Sequence, residues 1–225
     1  MKRVIATVLA GSLASPALAQ TDHDTQVWAS VTATTTVAPK LDLTFETHIR
    51  SDNSFPELGQ LLLRPALTYQ LPNGFSATVG YLYFRNDPTE APATQEHRTW
   101  QQIGYRFTQA QSRTRLTGRT RLEQRFRVGG RGDTGWRIRQ QLRFDTPLKS
   151  NTPVKAVVWN ETFIGLNDTV WGARSGLDQT RTFVGIGVPV GKGLALEPGY
   201  LNQYVVRTGP DRVNHIAAIN LFARF

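Results

Sequence analysis

Cysteine is absent from the 225 residues, which excludes disulfides and thiolate metal sites. Beyond the N-terminus the chain has no apolar run of about eighteen residues, the length that a transmembrane helix needs. That absence leaves a membrane barrel open, because half of each barrel strand faces a polar lumen and mean hydropathy stays low. Lysine is scarce, confined to Lys2, Lys40, Lys149, Lys155 and Lys192, so arginine carries most of the positive charge. Arginine prefers sites where its planar fork pairs with carboxylates away from bulk water.

Familiar catalytic and metal motifs are missing too. His23, His48, His97 and His215 show no His-x-x-x-His spacing and no His-x-Ser, so no metal site and no lipid-hydrolysing pair is assigned. The Gly-x-Gly at 185–187 lies within a strand-like run and opens no helix, so it is not a phosphate loop. Asn167, Asp168 and Asp178 do not match a calcium loop. The expectation is a non-enzyme without a cofactor.

The N-terminus reads as a secretory signal peptide over residues 1–19. Lys2 and Arg3 precede an apolar run from Val4 to Ala14, and Ala17-Leu18-Ala19 forms a small-x-small cleavage site before Gln20. The mature domain would then cover residues 20–225, and loss of Lys2 and Arg3 lowers the net charge from +9 to +7. Export argues against a nucleic-acid partner despite that basic excess.

From there on the chain alternates. Segments near 26–37, 40–50, 59–71, 75–85, 95–107, 112–127, 135–145, 153–164, 178–188, 194–206 and 213–225 read as strands separated by turn signals. In 113–127 one face carries Arg113, Arg115, Arg119, Arg121, Glu123, Arg125 and Arg127, and the other carries Leu116, Leu122 and Phe126. In 136–145 Trp136, Ile138, Leu142 and Phe144 oppose Arg137, Arg139, Arg143 and Asp145, with Gln140 the exception on the apolar face. Such patterning makes a sheet with one apolar and one charged side.

Connections alternate between short ones, at 71–74, 108–111, 146–152 and 190–193, and looser ones, at 51–58, 86–94, 128–134, 165–177 and 207–212. Tyr69, Phe75, Phe107 and Phe144 fall on the apolar face beside the former, and Tyr83, Phe126, Trp136 and Tyr204 beside the latter. Two aromatic girdles, short periplasmic turns and long external loops describe an antiparallel up-and-down transmembrane β-barrel in the bacterial outer membrane. A soluble lipocalin-like barrel is the alternative that inverts the two faces. Eleven segments conflict with the even count of single-chain bacterial barrels, so ten or twelve strands are expected, twelve being favoured.

The charged face then fills a lumen with Arg64, Arg98, Arg106, Arg119, Arg121, Glu123, Arg125, Arg137, Arg139, Arg143, Glu161, Arg181 and Glu197. Glu46, Arg50, Glu96, Asp145, Lys155 and Arg224 join them. A narrow barrel favours a structural or binding role with Arg–carboxylate pairs packing the interior. The arginine surplus supports a narrow anion-preferring channel as the alternative, ahead of a lipid-modifying enzyme or a soluble carrier. Arginines beyond the membrane would meet lipopolysaccharide phosphates. The last segment alternates Ile219, Leu221, Ala223 and Phe225 with Asn220, Phe222 and Arg224, and Phe225 is expected to be the signal read by the barrel-assembly machinery.

Several stretches resemble a bacterial outer-membrane family known as domain of unknown function 2490. They include His97-Arg98-Thr99-Trp100-Gln101-Gln102, Arg121-Leu122-Glu123-Gln124-Arg125-Phe126, Trp136-Arg137-Ile138-Arg139 and Asn160-Glu161-Thr162-Phe163. Further on come Leu177-Asp178-Gln179-Thr180-Arg181, Gly199-Tyr200-Leu201-Asn202-Gln203-Tyr204 and Asn214-His215-Ile216. The resemblance implies a barrel and no established activity. Pro198 departs from the aliphatic residue expected before Gly199, and its missing N–H predicts a bulge or a strand edge there.

Overall fold

Period-two alternation is realised as strand along nearly the whole chain. The computed structural model describes residues 21–51, 58–88 and 91–225, so the expected signal peptide lies outside the described residues. Among these, eleven strands occur: β1 (Thr21–Ala38), β2 (Leu41–Ser51), β3 (Leu58–Gln70), β4 (Phe75–Asn86), β5 (Thr94–Arg106), β6 (Arg115–Arg127), β7 (Thr134–Pro147), β8 (Lys155–Gly165), β9 (Gly176–Gly191), β10 (Leu194–Val205) and β11 (Asp211–Arg224). Each corresponds to one of the alternating segments.

The strands pair antiparallel with their sequence neighbours and close into a barrel through β1 and β11. That closing ladder is parallel and runs from Thr21 opposite Asp211 to Thr34 opposite Arg224. This corrects the expected ten or twelve strands and the wholly antiparallel sheet. In an up-and-down meander the first and last strands point the same way when the count is odd, so closure must be parallel. The start of β1 therefore lies at the same end as Ser51 and Leu58, as Asn86 and Thr94, and as the connections at 128–133, 166–175 and 206–210, called here the loop end. At the opposite turn end, β1–β2, β3–β4 and β9–β10 join tightly; 148–154 is as long as the connection expected at 146–152, whereas 107–114 is longer than the expected 108–111. The two-residue β9–β10 turn requires Gly193: its φ is +70°, and a Cβ there would fall 2.2 Å from the Arg224 carbonyl oxygen.

Pro198 does not form a bulge. The β9–β10 ladder lapses at Glu197 and Pro198 and resumes at Gly199 in the same register, while the shift lies between Leu194 and Ala195. The β3–β4 ladder lapses in the same way at Arg64 and Pro65. Each proline removes one ladder donor and the flanking pairs hold the register.

The two faces of the sheet are separated as the alternation requires. Ile49, Val79, Leu142, Val184 and Ile219 point outward, with Val79 57% and Leu142 48% exposed. Tyr69, Phe75, Phe107 and Phe144 are exposed on that face toward the turn end, and Phe126 and Trp136 toward the loop end. Gln140, the polar exception, accepts from Thr120 Oγ1 (2.6 Å) and donates to the Tyr105 hydroxyl. Gln101 and Gln124 exchange amide hydrogen bonds on the same face (3.2 and 3.0 Å).

Inside, the barrel has two halves. Trp28, Val157, Phe183, Leu201, Ile216 and Ala218 pack together from β1 and β8–β11, with Trp159 stacked on Phe183 at 5.4 Å. The Phe183 ring lies over Gly185 and Gly199, where any Cβ would stand 2.5 Å from it. The other half of the interior, chiefly β2 to β7, is charged.

Candidate site in the barrel interior

Glu123 stands at the centre of the charged half, fully buried. Cross-strand pairing puts it directly opposite Arg137 and sets Arg121 opposite Arg139, so one carboxylate meets two guanidinium groups at direct and diagonal distance. Arg137 donates to it through Nε and Nη2 (3.0 and 2.6 Å), and Arg139 through Nη1 (2.7 Å). Arg139 continues to Glu161 through Nε and Nη2 (3.1 and 2.8 Å), and Arg119 adds a third donor there (3.0 Å). Arg137 also reaches Asp178 (2.7 Å). Asp178 is turned inward because the β8–β9 register shifts opposite Phe163 and Ile164, leaving it as the extra residue.

Smaller clusters surround this chain. Glu96 accepts from Arg98 (2.9 Å) and Arg125 (3.0 and 3.1 Å). Both oxygens of Glu46 accept from Arg64 (2.8 Å each), and His48 bonds the same carboxylate. Arg143 bridges Asp145 (2.7 Å) and Glu197. Buried charges of this kind persist only when paired and hydrogen-bonded, and these carboxylates meet that condition.

The arginines do not all meet it. Among the described residues Arg50 and Arg181 form no ion pair with a carboxylate. Arg121 comes no nearer than 3.8 Å to Glu123 and bonds the Gln102 amide oxygen instead. Aromatic faces take the place of counter-charges. Arg121 lies 3.8 Å above the Trp100 ring, Arg50 lies 3.8 Å from Trp28, and Arg181 lies 5.1 Å from Trp28 and 4.7 Å from Phe163. The Nε atoms of Arg50, Arg64, Arg181 and Arg212 are buried without a hydrogen-bond partner.

Cavities remain inside the barrel. A loop-end cavity of about 410 Å³ is lined by Arg50, Arg98, Arg125, Arg137, Arg181, Arg207 and Arg212 among others, and Asp178 supplies its one carboxylate. A cavity of about 270 Å³ nearer the turn end has Glu46, Glu161 and Glu197 in its wall. Trp28, Arg50, Arg64, Arg139 and Arg181 line both. Above the first cavity the 166–175 connection is held by Trp171, whose indole donates to the Asp133 carbonyl (2.9 Å) while Arg125 lies 5.1 Å from its ring.

The family model described as "Protein of unknown function (DUF2490)" matches residues 25–214. The chain belongs to the DUF2490 family. An uncharacterized protein of Methylorubrum extorquens is 34% identical to it over 213 residues, covering 93% of this chain and 91% of that protein. No solved structure matches the chain.

In this DUF2490 barrel most of the charged residues singled out from sequence come together in the interior: Arg64, Arg98, Arg119, Arg121, Glu123, Arg125, Arg137, Arg139, Arg143, Glu161, Arg181 and Glu197. Arg106 shares their parity but is exposed at the turn end of β5. Phe225 is exposed, with its backbone N–H donating to the Thr34 carbonyl (3.0 Å). The histidines disperse: His48 lies inside on Glu46, His97 bonds Tyr81 on the outer face, and His23 stacks on His215 across the β1–β11 seam at 5.3 Å. Sequence reasoning missed the aromatic supports Trp28, Trp100 and Phe163. Their signal was available, because each alternates in phase with inward polar residues: Trp28 with Gln26 and Ser30, Trp100 with Arg98 and Gln102, and Phe163 with Glu161.

Proposed function

We propose that this protein is an outer-membrane β-barrel whose interior is occupied by its own side chains, serving as a structural or binding barrel. The orientation of the sheet carries the reading. Arg121 and Arg139 lie buried inside, while Leu142, Val79 and Ile49 cover the outside. An apolar band this continuous is what a bilayer selects, and water-soluble monomers rarely expose one. With the turn end toward the periplasm, the loop end and the exposed Arg131 face outward, where lipopolysaccharide phosphates supply partners for arginine.

The large side chains of Trp28, Arg50, Arg64, Arg139 and Arg181, shared by the walls of both cavities, favour a barrel that does not conduct freely. A narrow anion-preferring channel is the second reading, favoured by the arginine-lined loop-end cavity. Cell fractionation and planar-bilayer recording separate these readings. The expected result is heat-modifiable protein in the outer-membrane fraction with no steady conductance. Steady anion-selective conductance would establish the channel, and recovery in the soluble periplasmic fraction would overturn the membrane reading.

A further inference from the structure

We propose that the loop-end cavity is a binding site for a small oxyanion carrying two or more negative charges, of the phosphate class, held between Arg50 and Arg181. The inference goes beyond the plugged-barrel reading and does not depend on where the protein resides. Arg50 is only 6% exposed and, among the described residues, has a buried Nε without a partner and one side-chain hydrogen bond, to Gln60 (3.2 Å). Arg181 is alike: its Nε is buried and unpartnered, and its Nη2 reaches the Gln179 amide oxygen at 3.3 Å. Both guanidinium groups rest on the same Trp28 ring, at 3.8 and 5.1 Å. Two cations held against one aromatic ring, in the wall of one cavity, repel each other unless a negative group lies near both.

Among the described residues the protein offers no such group. Glu46 is engaged by Arg64 and His48, Glu96 by Arg98 and Arg125, Glu161 by Arg139 and Arg119, and Asp178 by Arg137. Arg212, at the same cavity, adds a third unpartnered Nε. The positive charge left over calls for a dianion or trianion. A volume of about 410 Å³ suits a small molecule. Planar guanidinium forks bind phosphate oxygens bidentately, which makes pyrophosphate a suitable probe.

The test is isothermal titration of the full-length barrel, folded in detergent at low ionic strength, with pyrophosphate. One saturable site is expected in the unaltered protein. Arg50→Gln combined with Arg181→Gln should weaken it at least tenfold, whereas Arg113→Gln, at the turn end, should leave it unchanged. Heat-modifiable migration on a gel confirms that each variant is folded. If the double variant does not fold, Arg50→Lys with Arg181→Lys keeps both charges, removes both forks and should still weaken binding. Absence of saturable binding to the unaltered protein, or undiminished binding by a folded Lys variant, would overturn the site. Soluble fractionation with intact pyrophosphate binding would instead overturn only the membrane reading.

Discussion

Arg139 joins Glu123 to Glu161, donating to the first at 2.7 Å and to the second at 2.8 Å. The two carboxylates stand on β6 and β8, on either side of the strand that bears the arginine, so one guanidinium ties three adjacent strands across the interior.

Glu123→Ala removes the carboxylate that Arg137 and Arg139 share and leaves them Asp178 and Glu161, so the buried cluster loses one negative charge without replacement. Loss of one side of a buried, hydrogen-bonded ion pair costs about 3–5 kcal/mol. Urea unfolding of the barrel in lipid vesicles should show that loss. The double variant Glu123→Ala/Glu161→Ala should depart from additivity, because both carboxylates share Arg139. An unchanged midpoint for Glu123→Ala would mean that the network contributes nothing to stability.

Leu142 tests what surrounds the barrel. It lies within β7 on the outer face. Leu142→Arg should cost ~2–4 kcal/mol if that face meets hydrocarbon, while Leu142→Met should be nearly neutral. A surface bathed in water would accept arginine with little loss. Comparison of the two variants by unfolding in vesicles, together with their outer-membrane yields, checks this.

Gly80 supports an interior stack in which Trp100 lies on the backbone and Arg121 lies on Trp100. A Cβ at Gly80 would stand 2.2 Å from the indole ring. Gly80→Val should displace Trp100, unstack Arg121 and destabilise the barrel by about 1–3 kcal/mol. Tryptophan fluorescence should change in Gly80→Val, and Trp100→Phe should abolish most of that change.

The 166–175 connection should loosen in acid. The Asp168 carboxylate accepts from the backbone N–H of Ser175 (2.7 Å) and from its hydroxyl (3.0 Å). These hydrogen bonds hold its pKa below the ordinary 3.8, the backbone bond contributing most. A depressed folded value means that the stabilisation is present above the unfolded pKa and is lost as pH falls through the folded one. Amide protection factors across this connection should therefore drop between about pH 5 and about pH 2. Asp168→Asn should flatten that dependence, and a pH-independent profile in the unaltered protein would contradict the assignment.

Eleven alternating segments and the two faces of the sheet were legible in the sequence alone, because period-two alternation is a local property of extended backbone. Arg121 and Leu122 are neighbours in the chain, and their opposite fates follow from that geometry. Strand parity was not legible. Whether β1 closes on β11 depends on two segments at opposite ends of the chain, and the even-count expectation hid a parallel seam that the alternation itself never forbade. The partners of each charge were also beyond reach. Alternation puts Glu123, Arg137, Arg139, Arg50 and Arg181 inside, but register and closure decide which arginines meet carboxylates and which meet the ring of Trp28. Local chemistry sets the direction in which a side chain points, and only the closed barrel sets what stands opposite it.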